Sequence, residues 1–332
     1  MLKNYSFQIT VISYMYLSYF EMTSSTTTSE LQSLYTVQRF ENVTGDLGKQ
    51  NDLILCFPSA ISPTKSLNKA VIFFGGDVQN YPEVMSQHRT NNIYIHWNLE
   101  ATARILAKRF VDSLIIVIKP KEMLLNTFSI YSNFVEFDQD GIPMLFTNTN
   151  SNGLTHVSKL YSKALEIYEN KQACDLDKSS HVLCDSVTEK SDARPVIGCL
   201  AELPVSFVGF SKGCVPLNQI LFEVATKHFS PETLDFVSKM KSVYWLDAGH
   251  NGRQDTWITS DFVLQKIAST TIELFVHITP YQIKDINRPW IGKEQRKFIQ
   301  KLKALKADVT EIRHHFDEPG SLDLHFSILT EF

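Results

Sequence analysis

A single serine stands between two glycines in the stretch VSFVGFSKG, residues Val205–Gly213. Apolar β-formers precede it, and residues Val215–Val224 have the apolar spacing of a helix. A chain that turns directly from a strand into a helix forces the residue at the turn into a strained conformation, and flanking glycines leave room for it. This G-x-S-x-G pattern therefore predicts a nucleophile elbow that exposes the hydroxyl of Ser211. An inert serine in a tight turn is the alternative.

The segments around this elbow alternate between predicted strands and predicted helices. We predict strands at Tyr35–Val43, Asp52–Phe57, Ala70–Phe74, Leu114–Ile118, Val205–Phe210, Ser242–Leu246, Ile272–Ile278 and Val309–His315. We predict helices at Leu99–Phe110, His156–Tyr168, Val215–Val224, Phe262–Ala268, Lys293–Leu305 and Leu322–Leu329. Runs such as AVIFF and LIIVI are apolar at consecutive positions, which is typical of strands that helices cover on both faces. The pattern predicts an α/β fold with a mostly parallel central sheet and a ligand site at the carboxyl ends of its strands.

The chain of 332 residues is long enough for one large domain, which we predict at 31–332. Residues 1–30 have one early lysine and a short apolar run, so we interpret them as a targeting or disordered segment, or as an artefact of the start site, since Met22 could begin the chain. The run is too short and too interrupted for a stable transmembrane span. Residues 169–204 show no apolar period and predict a flexible surface insertion.

Charge and cysteine content exclude several classes of protein. The net charge is −4 with both signs well mixed, so no basic face for nucleic acid is expected. The five cysteines are scattered, without a CxxC pair or zinc-ligand spacing, which argues against a disulfide framework and a metal centre. We predict neither a metal nor a cofactor.

A serine hydroxyl is a poor nucleophile until a base removes its proton, so the chain must supply a histidine. In this architecture the partners follow in the order Ser, Asp, His. His325 opens the last predicted helix and is the preferred base, with His315 at the end of the last strand as the second candidate. His277 lies inside a predicted strand, which favours a core or paired histidine.

Two aspartates could orient the histidine. Asp247 ends the strand in SVYWLD, and Asp285 follows the strand in IELFVHITP, so both lie beyond the carboxyl end of a strand. The sequence leaves the choice open, and either residue could instead be a turn aspartate.

The predicted oxyanion hole consists of two backbone amides. One belongs to Lys212, directly after the serine, and the other to Gly76 in the loop FFGGDVQNY. Asp77 is unusual beside an oxyanion, because its carboxylate would oppose catalysis unless it points away or binds a donor. The side chain of Lys212 is predicted to be solvated, with a pair to Asp77 as the alternative.

The stretches FFGGDVQNY, HWNLEATARILAKRF, GFSKGCVPLNQILFE, YWLDAGHNG, HITPYQIKD and RPWIGKE, together with the closing LHF, resemble the chromosome two open reading frame sixty-nine family. The resemblance runs from about Leu53 to Phe332 and implies an α/β-hydrolase fold and a mitochondrial location. It maps the family's serine to Ser211, its two aspartates to Asp247 and Asp285, and its final histidine to His325. The N-terminus departs from a mitochondrial presequence because it is not Arg-rich, and its apolar run makes the secretory pathway the alternative location.

Two functions remain open from the sequence. The first is a serine hydrolase that acts on a small acyl substrate, an ester, thioester or amide, through Ser211, His325 and one of the two aspartates. The second is a catalytically silent protein of the same fold that binds a protein partner or a small ligand, since a fold alone does not fix a function.

Overall fold

A computed structural model of the chain describes residues 34–59, 66–146, 152–180 and 200–332, without the side chains of 174–180. The strands are β1 (Tyr35–Thr44), β2 (Gln50–Pro58), β3 (Lys69–Phe74), β4 (Ser113–Ile118), β5 (Glu122–Leu124), β6 (Phe128–Ile130), β7 (Glu136–Phe137), β8 (Pro143–Met144), β9 (Val205–Phe210), β10 (Met240–Leu246), β11 (Glu273–Ile278) and β12 (Val309–Arg313). The α-helices are α1 (Pro82–Gln87), α2 (Leu99–Arg109), α3 (Gly153–Ser180), α4 (Cys214–Thr226), α5 (Pro231–Ser238), α6 (Asp261–Ala268), α7 (Pro280–Ile283), α8 (Pro289–Ala304) and α9 (Leu322–Glu331).

Eight of these strands form one sheet in the order β1-β2-β4-β3-β9-β10-β11-β12. β2 pairs antiparallel with both β1 and β4, and every other neighbouring pair in the sheet is parallel. Non-consecutive neighbours such as β3 and β9 require crossovers, and the helices supply them. The predicted α/β-hydrolase architecture with a mostly parallel sheet is therefore confirmed.

Alternation along the central strands divides the core into two layers. In β3, Ile72 and Phe74 face the layer that contains α3, α4 and α8, whereas Val71 and Phe73 face the layer that contains α2 and α9. All four side chains are fully buried. Helices on both faces explain why this strand is apolar at every position after Lys69, because a strand covered on both sides has no solvent face.

The first part of the segment predicted as a flexible insertion, 169–204, is helical. The helix predicted to end at Tyr168 continues to Ser180 as part of α3. Tyr168 is buried, but residues 169–173 are exposed or only partly buried. Because this end of the helix extends past the core, it needs no apolar face, and its sequence shows no apolar period. The rest of the predicted insertion up to 199, like the N-terminal segment 1–30, lies outside the described residues.

Two small hairpins between β4 and α3 have no counterpart in the predicted elements. β5 pairs with β6, and β7 pairs with β8, each in a separate two-stranded sheet. These strands are two or three residues long, which is too short for an alternating pattern to be visible in the sequence.

The side chains described in the structure include two cysteines. Cys56 and Cys214 are both buried and both free thiols. Among the residues with described coordinates, no helix has the length and apolar character needed to cross a membrane.

Candidate active site

Ser211 occupies a sharp strand-to-helix turn at the carboxyl end of β9. The strand ends at Phe210, Ser211–Gly213 form a single 3₁₀ turn, and α4 begins at the next residue. Ser211 has φ 52°, in the left-handed region that residues other than glycine rarely adopt. Strained conformations of this kind concentrate at functional sites. Ser211 therefore lies at a strained elbow between a strand and a helix, with 7% of the residue exposed to solvent.

The positions of Gly209 and Gly213, on either side of the serine, leave little or no room for a side chain. A Cβ placed on Gly213 would lie 2.0 Å from the carbonyl oxygen of Phe74 and 2.6 Å from that of Gly75. A Cβ on Gly209 would lie 3.0 Å from the carbonyl oxygen of Gly213. Gly213 itself has φ −61°, which any residue can adopt. The turn therefore needs glycine at this position because it packs directly against the end of β3.

Replacing Gly213 by Ala is expected to lower the free energy of unfolding by more than about 3 kcal/mol, since a methyl group would overlap backbone atoms that cannot move independently. Urea unfolding of the purified variant measures this loss. Gly48→Ala is the matched comparison, because Gly48 has φ +74° but a Cβ added there would meet no described atom within 4 Å. That variant should lose only about 1–2 kcal/mol from backbone strain. A smaller loss at position 213 than at position 48 would contradict the packing argument.

His325 lies in the first part of α9, whose first turn is fixed by Ser321. The Ser321 hydroxyl accepts a hydrogen bond from the amide of Leu324 at 3.2 Å and caps the helix. The imidazole is 3% exposed and lies between two aromatic rings, with its centroid 4.6 Å from that of Phe210 and 4.7 Å from that of Tyr281. Because Phe210 directly precedes the serine, this packing brings the imidazole to the elbow.

Asp247 is the carboxylate that contacts this histidine. Nδ1 of His325 lies 2.7 Å from Oδ2 of Asp247. Thr279 donates two further hydrogen bonds to the same carboxylate, from its amide to Oδ1 at 2.8 Å and from its hydroxyl to Oδ2 at 2.5 Å. Asp247 is fully buried and has φ 47°. A carboxylate only accepts hydrogen bonds, so Nδ1 must carry a proton and Nε2 of the neutral imidazole is left to accept one.

Asp285, the other candidate acid, makes a different set of contacts. Its carboxylate accepts hydrogen bonds from the amide of Asn287 at 2.8 Å and from Nε of Arg288 at 2.7 Å. These bonds close a turn after α7, as expected for a turn aspartate. The structure therefore brings His325 together with Asp247 and leaves Asp285 in a turn.

The other candidate histidines are engaged elsewhere. His315 lies 2.6 Å from a carboxylate oxygen of Glu331. Nδ1 of His277 lies 3.0 Å from Nε2 of His314, within a mostly buried pair near the sheet edge. The paired histidine predicted at 277 is therefore present.

The loop after β3, Gly75–Val78, is hereafter called the β3 loop, and it approaches the serine closely. A Cβ on Gly76 would lie 2.7 Å from Cβ of Ser211. The amide of Gly76, predicted as an oxyanion donor, instead donates to Oε1 of Gln79 at 3.0 Å. The amide of Asp77 makes no hydrogen bond with the residues that the structure describes. Asp77 is therefore the better candidate donor from this loop, beside the amide of Lys212 in the first turn after the serine.

The side chain of Lys212 is buried, so the predicted solvated lysine is wrong. It is only 1% exposed, and its ammonium donates to the carbonyl oxygen of Gly141 at 3.1 Å and lies 5.6 Å from the ring of Phe137. Burial lowers the pKa of Lys212, while the nearby charges of Asp77 and Asp138 oppose that shift. The reason for its burial is that the β7–β8 turn covers this side of the elbow. The Asp140-Gly141 pair is a turn signal, but it does not show what the turn packs against.

Thr279 is the residue of this arrangement that the sequence analysis missed. It follows β11 and precedes Pro280, and its hydroxyl also accepts the amide of Tyr281 at 3.2 Å as the cap of α7. A threonine before a proline at a strand end is a recognisable helix-start signal, although it does not identify the carboxylate that the threonine binds. Within the described ranges, no three His, Cys, Asp or Glu side chains are grouped so as to hold a metal ion.

Solved structures that are similar to this chain include esterases at low identity. A thermostable esterase from Pseudomonas putida is 9% identical, with 90% of this chain and 78% of that chain covered and a TM-score of 0.45. Brefeldin A esterase, described as a bacterial homologue of human hormone-sensitive lipase, is 11% identical, with 90% and 73% covered and a TM-score of 0.43.

Similarity in sequence is much stronger to one family. The C2orf69 family model matches residues 39–199 and 165–308. The human mitochondrial protein C2orf69 is 36% identical over 297 residues, which cover 82% of this chain and 76% of the human protein. The mouse homologue is 35% identical over 304 residues, covering 85% and 83%, and the zebrafish (Danio rerio) homologue is 34% identical over 304 residues, covering 89% and 85%. These matches span most of each protein, and this chain belongs to the C2orf69 family.

Proposed function

We propose that this protein is a serine hydrolase that acts on an ester, thioester or amide through Ser211, His325 and Asp247. The observation that carries the proposal is the 2.7 Å contact between His325 Nδ1 and Asp247 Oδ2, made beside a serine at φ 52° on a strand-to-helix elbow. A base that is oriented by a carboxylate and lies at an elbow serine is the arrangement that acyl transfer requires.

In the proposed mechanism, Nε2 of His325 takes the hydroxyl proton while Ser211 Oγ attacks the acyl carbon. Asp247 holds Nδ1 protonated and stabilises the imidazolium that forms. The amides of Asp77 and Lys212 donate to the oxyanion of the tetrahedral intermediate. The imidazolium then protonates the leaving group as the acyl–oxygen, acyl–sulfur or acyl–nitrogen bond breaks. A water molecule, deprotonated by the same imidazole, releases the acyl group from the serine.

In this structure the serine hydroxyl does not yet contact the proposed base. Ser211 Oγ makes no hydrogen bond with any residue in the part of the chain that the structure describes. Catalytic hydrogen bonds are often long without substrate and tighten in the complex, so a rotation of the serine side chain is the expected step that completes the triad.

A fluorophosphonate probe tests this function directly, because it phosphonylates only an activated serine. The full-length protein should be labelled, and Ser211→Ala should not. His325→Ala should lose labelling to the same extent, since the hydroxyl then lacks its base. Labelling that persists in Ser211→Ala would contradict the assignment of the nucleophile. A folded wild-type protein that is never labelled would instead favour the silent, partner-binding function.

The cellular site of this activity is proposed to be the mitochondrion, because the curated relatives at 34–36% identity are named mitochondrial proteins. Fractionation of cells that express the full chain with a C-terminal tag tests this location. Recovery with secretory membranes instead would contradict it.

A further inference from the structure

The β5–β6 hairpin is bonded to the β3 loop at three points. The amide of Ser129 donates to Oδ1 of Asp77 at 2.7 Å, and the hydroxyl of Ser129 donates to the same oxygen at 3.0 Å. One residue further along the loop, the amide of Val78 donates to the carbonyl oxygen of Thr127 at 2.6 Å. The loop that carries the candidate oxyanion donor is therefore held by the hairpin as well as by β3.

The conformation of this loop is one that its residues would not adopt alone. Val78 has φ 74°, and a β-branched residue in the left-handed region is a genuine outlier. Such strain persists only where surrounding contacts over-determine the backbone. The bonds to Thr127 and Ser129 supply those contacts, on both sides of the peptide that joins Asp77 to Val78.

The charge of Asp77 requires compensation, because an uncompensated carboxylate beside a developing oxyanion would raise the barrier. Burial raises the pKa of Asp77, while the Lys212 ammonium and the two hydrogen bonds from Ser129 act in the opposite direction. Lys212 follows Ser211 directly and is buried. Among the described contacts its ammonium makes no hydrogen bond or ion pair with Asp77, so it acts on that carboxylate only through the field of its charge. Its ammonium has three donor positions, and only one, to Gly141, is used among the described residues.

We propose that the Asp77 carboxylate is the anchor of the β3 loop, held by Ser129, and that the nearby charge of Lys212 offsets its own, so that the Asp77 amide faces the oxyanion without net negative charge beside it. This inference rests on the proposed hydrolase function. Ser129 and the side chains of Asp77 and Lys212 are positioning residues here, since each acts through the amide of Asp77. The arrangement also explains why an aspartate occupies a position where a carboxylate would otherwise oppose the reaction.

A double-mutant cycle tests the charge compensation, with fluorophosphonate labelling rates and the hydrolysis of p-nitrophenyl butyrate as readouts. Lys212→Met should lower kcat about 10- to 100-fold with little change in KM, because it leaves the carboxylate uncompensated. Asp77→Asn keeps an oxygen for Ser129 and removes the charge, and its kcat is measured as the single-variant arm of the cycle. Adding Asp77→Asn to Lys212→Met should recover kcat to within about 5-fold of wild type. A double variant no faster than Lys212→Met would overturn the compensation and leave Lys212 as a support for the Gly141 turn.

Amide hydrogen exchange tests the anchor independently of any activity. In Asp77→Ala, peptides that span residues 75–81 should exchange about 10-fold faster than in wild type, because both bonds from Ser129 are lost. Asp77→Asn should exchange at the wild-type rate, and Ser129→Ala should fall between the two. Ser238→Ala is the matched serine control, because its exposed hydroxyl donates only to the carbonyl of Asp235 on α5. Unchanged exchange in Asp77→Ala would overturn the anchor.

The two measurements separate the failure of this inference from the failure of the proposed function. A wild-type protein that the probe does not label contradicts the hydrolase, while hydrogen exchange still tests the anchor. A labelled wild type whose cycle shows no recovery contradicts only the role of Lys212.

Discussion

Replacing Asp247 by Asn is expected to lower kcat for ester hydrolysis by about 10³- to 10⁴-fold, the largest effect on activity of any conservative change outside the serine and the histidine. The substitution preserves shape and removes one charge, so the protein should fold. What changes is the pattern of donors and acceptors around His325.

The reason lies in the three hydrogen bonds that Asp247 accepts. The Thr279 amide and hydroxyl and Nδ1 of His325 all donate to its two oxygens. An asparagine has one oxygen, and its amide nitrogen would have to face either Thr279 or the imidazole. If the amide oxygen keeps the Thr279 amide, its NH₂ group faces Nδ1 and forces the proton of the neutral ring onto Nε2. That tautomer has no lone pair for the proton of Ser211.

Asp285→Asn is the matched control, because Asp285 is the other acid that the sequence offered, but it lies after α7 and bonds to Arg288 and Asn287 in a turn. Its kcat should stay within about 2-fold of wild type, and initial rates on p-nitrophenyl butyrate measure both variants. Equal losses in the two variants, or a loss confined to Asp285→Asn, would show that a carboxylate other than Asp247 orients His325 in the proposed reaction. Urea unfolding of each variant verifies that the protein is intact.

The elbow could be predicted because its determinants are local. One short stretch holds a strand of six apolar or small residues, a serine between two glycines and a helix pattern. All three features predict the same sharp turn from a strand into a helix. The sheet was predictable for a similar reason, since β3 and β4 are apolar at nearly every position and can only lie between two layers.

The sequence could not decide between the two aspartates, because the deciding contact comes from a residue at the end of another strand. Asp247 and Asp285 both come after predicted strands, but Asp285 lies beyond α7. Thr279 reaches Asp247 from the end of the neighbouring strand β11 and holds its carboxylate in place. A sequence shows that a residue ends a strand, but it does not show which side chain of the next strand points toward it.

The arrangement of the β3 loop could be predicted only in part, for the same reason. The two glycines after β3 indicate a close approach, and Gly76 does lie against Ser211. Which amide remains free depends on the rotamer of Gln79, which takes the amide of Gly76, and on a hairpin too short to be seen in the sequence. The burial of Lys212 depends on the turn at Gly141 and could not be inferred from its polar character.

Acidification from pH 7.5 to pH 5 is expected to cost this protein about 6 kcal/mol of unfolding free energy from three buried histidines alone. Burial lowers the pKa of His156 to about 4, that of His250 to about 4 and that of His277 to about 3. Each folded value lies below the ordinary value of about 6.5, so the unfolded chain binds the proton first. The stability is complete above about pH 6.5 and is lost as pH falls toward the folded pKa, about 2 kcal/mol per histidine at pH 5.

The contacts of these histidines explain why the folded protein resists the proton. Nδ1 of His156 accepts the amide of Asp46 at 3.0 Å, and Nδ1 of His250 accepts the amide of Gly252 at 3.0 Å. A proton on either nitrogen would place two donors face to face. Buried carboxyls oppose the trend, because burial raises the pKa of Asp77 and such groups bind protons earlier in the folded chain than in the unfolded one. Replacing one histidine and comparing the pH-dependent change in unfolding free energy therefore isolates the histidine contribution better than the wild-type change alone.

His156→Gln is the variant that tests this account, because it removes one titrating ring of the three. Urea unfolding at pH 7.5 and pH 5 should show that the pH-dependent loss is about 2 kcal/mol smaller than in wild type, whatever the packing cost at either pH. His228→Gln is the control, since His228 is exposed just after α4 and its replacement should leave the wild-type difference unchanged. An equal loss in His156→Gln and wild type would mean that the ring at 156 binds its proton as readily in the folded protein as in the unfolded chain. In that case the bond from the Asp46 amide to Nδ1 would not hold the ring neutral at pH 5, because a protonated nitrogen accepts no hydrogen bond.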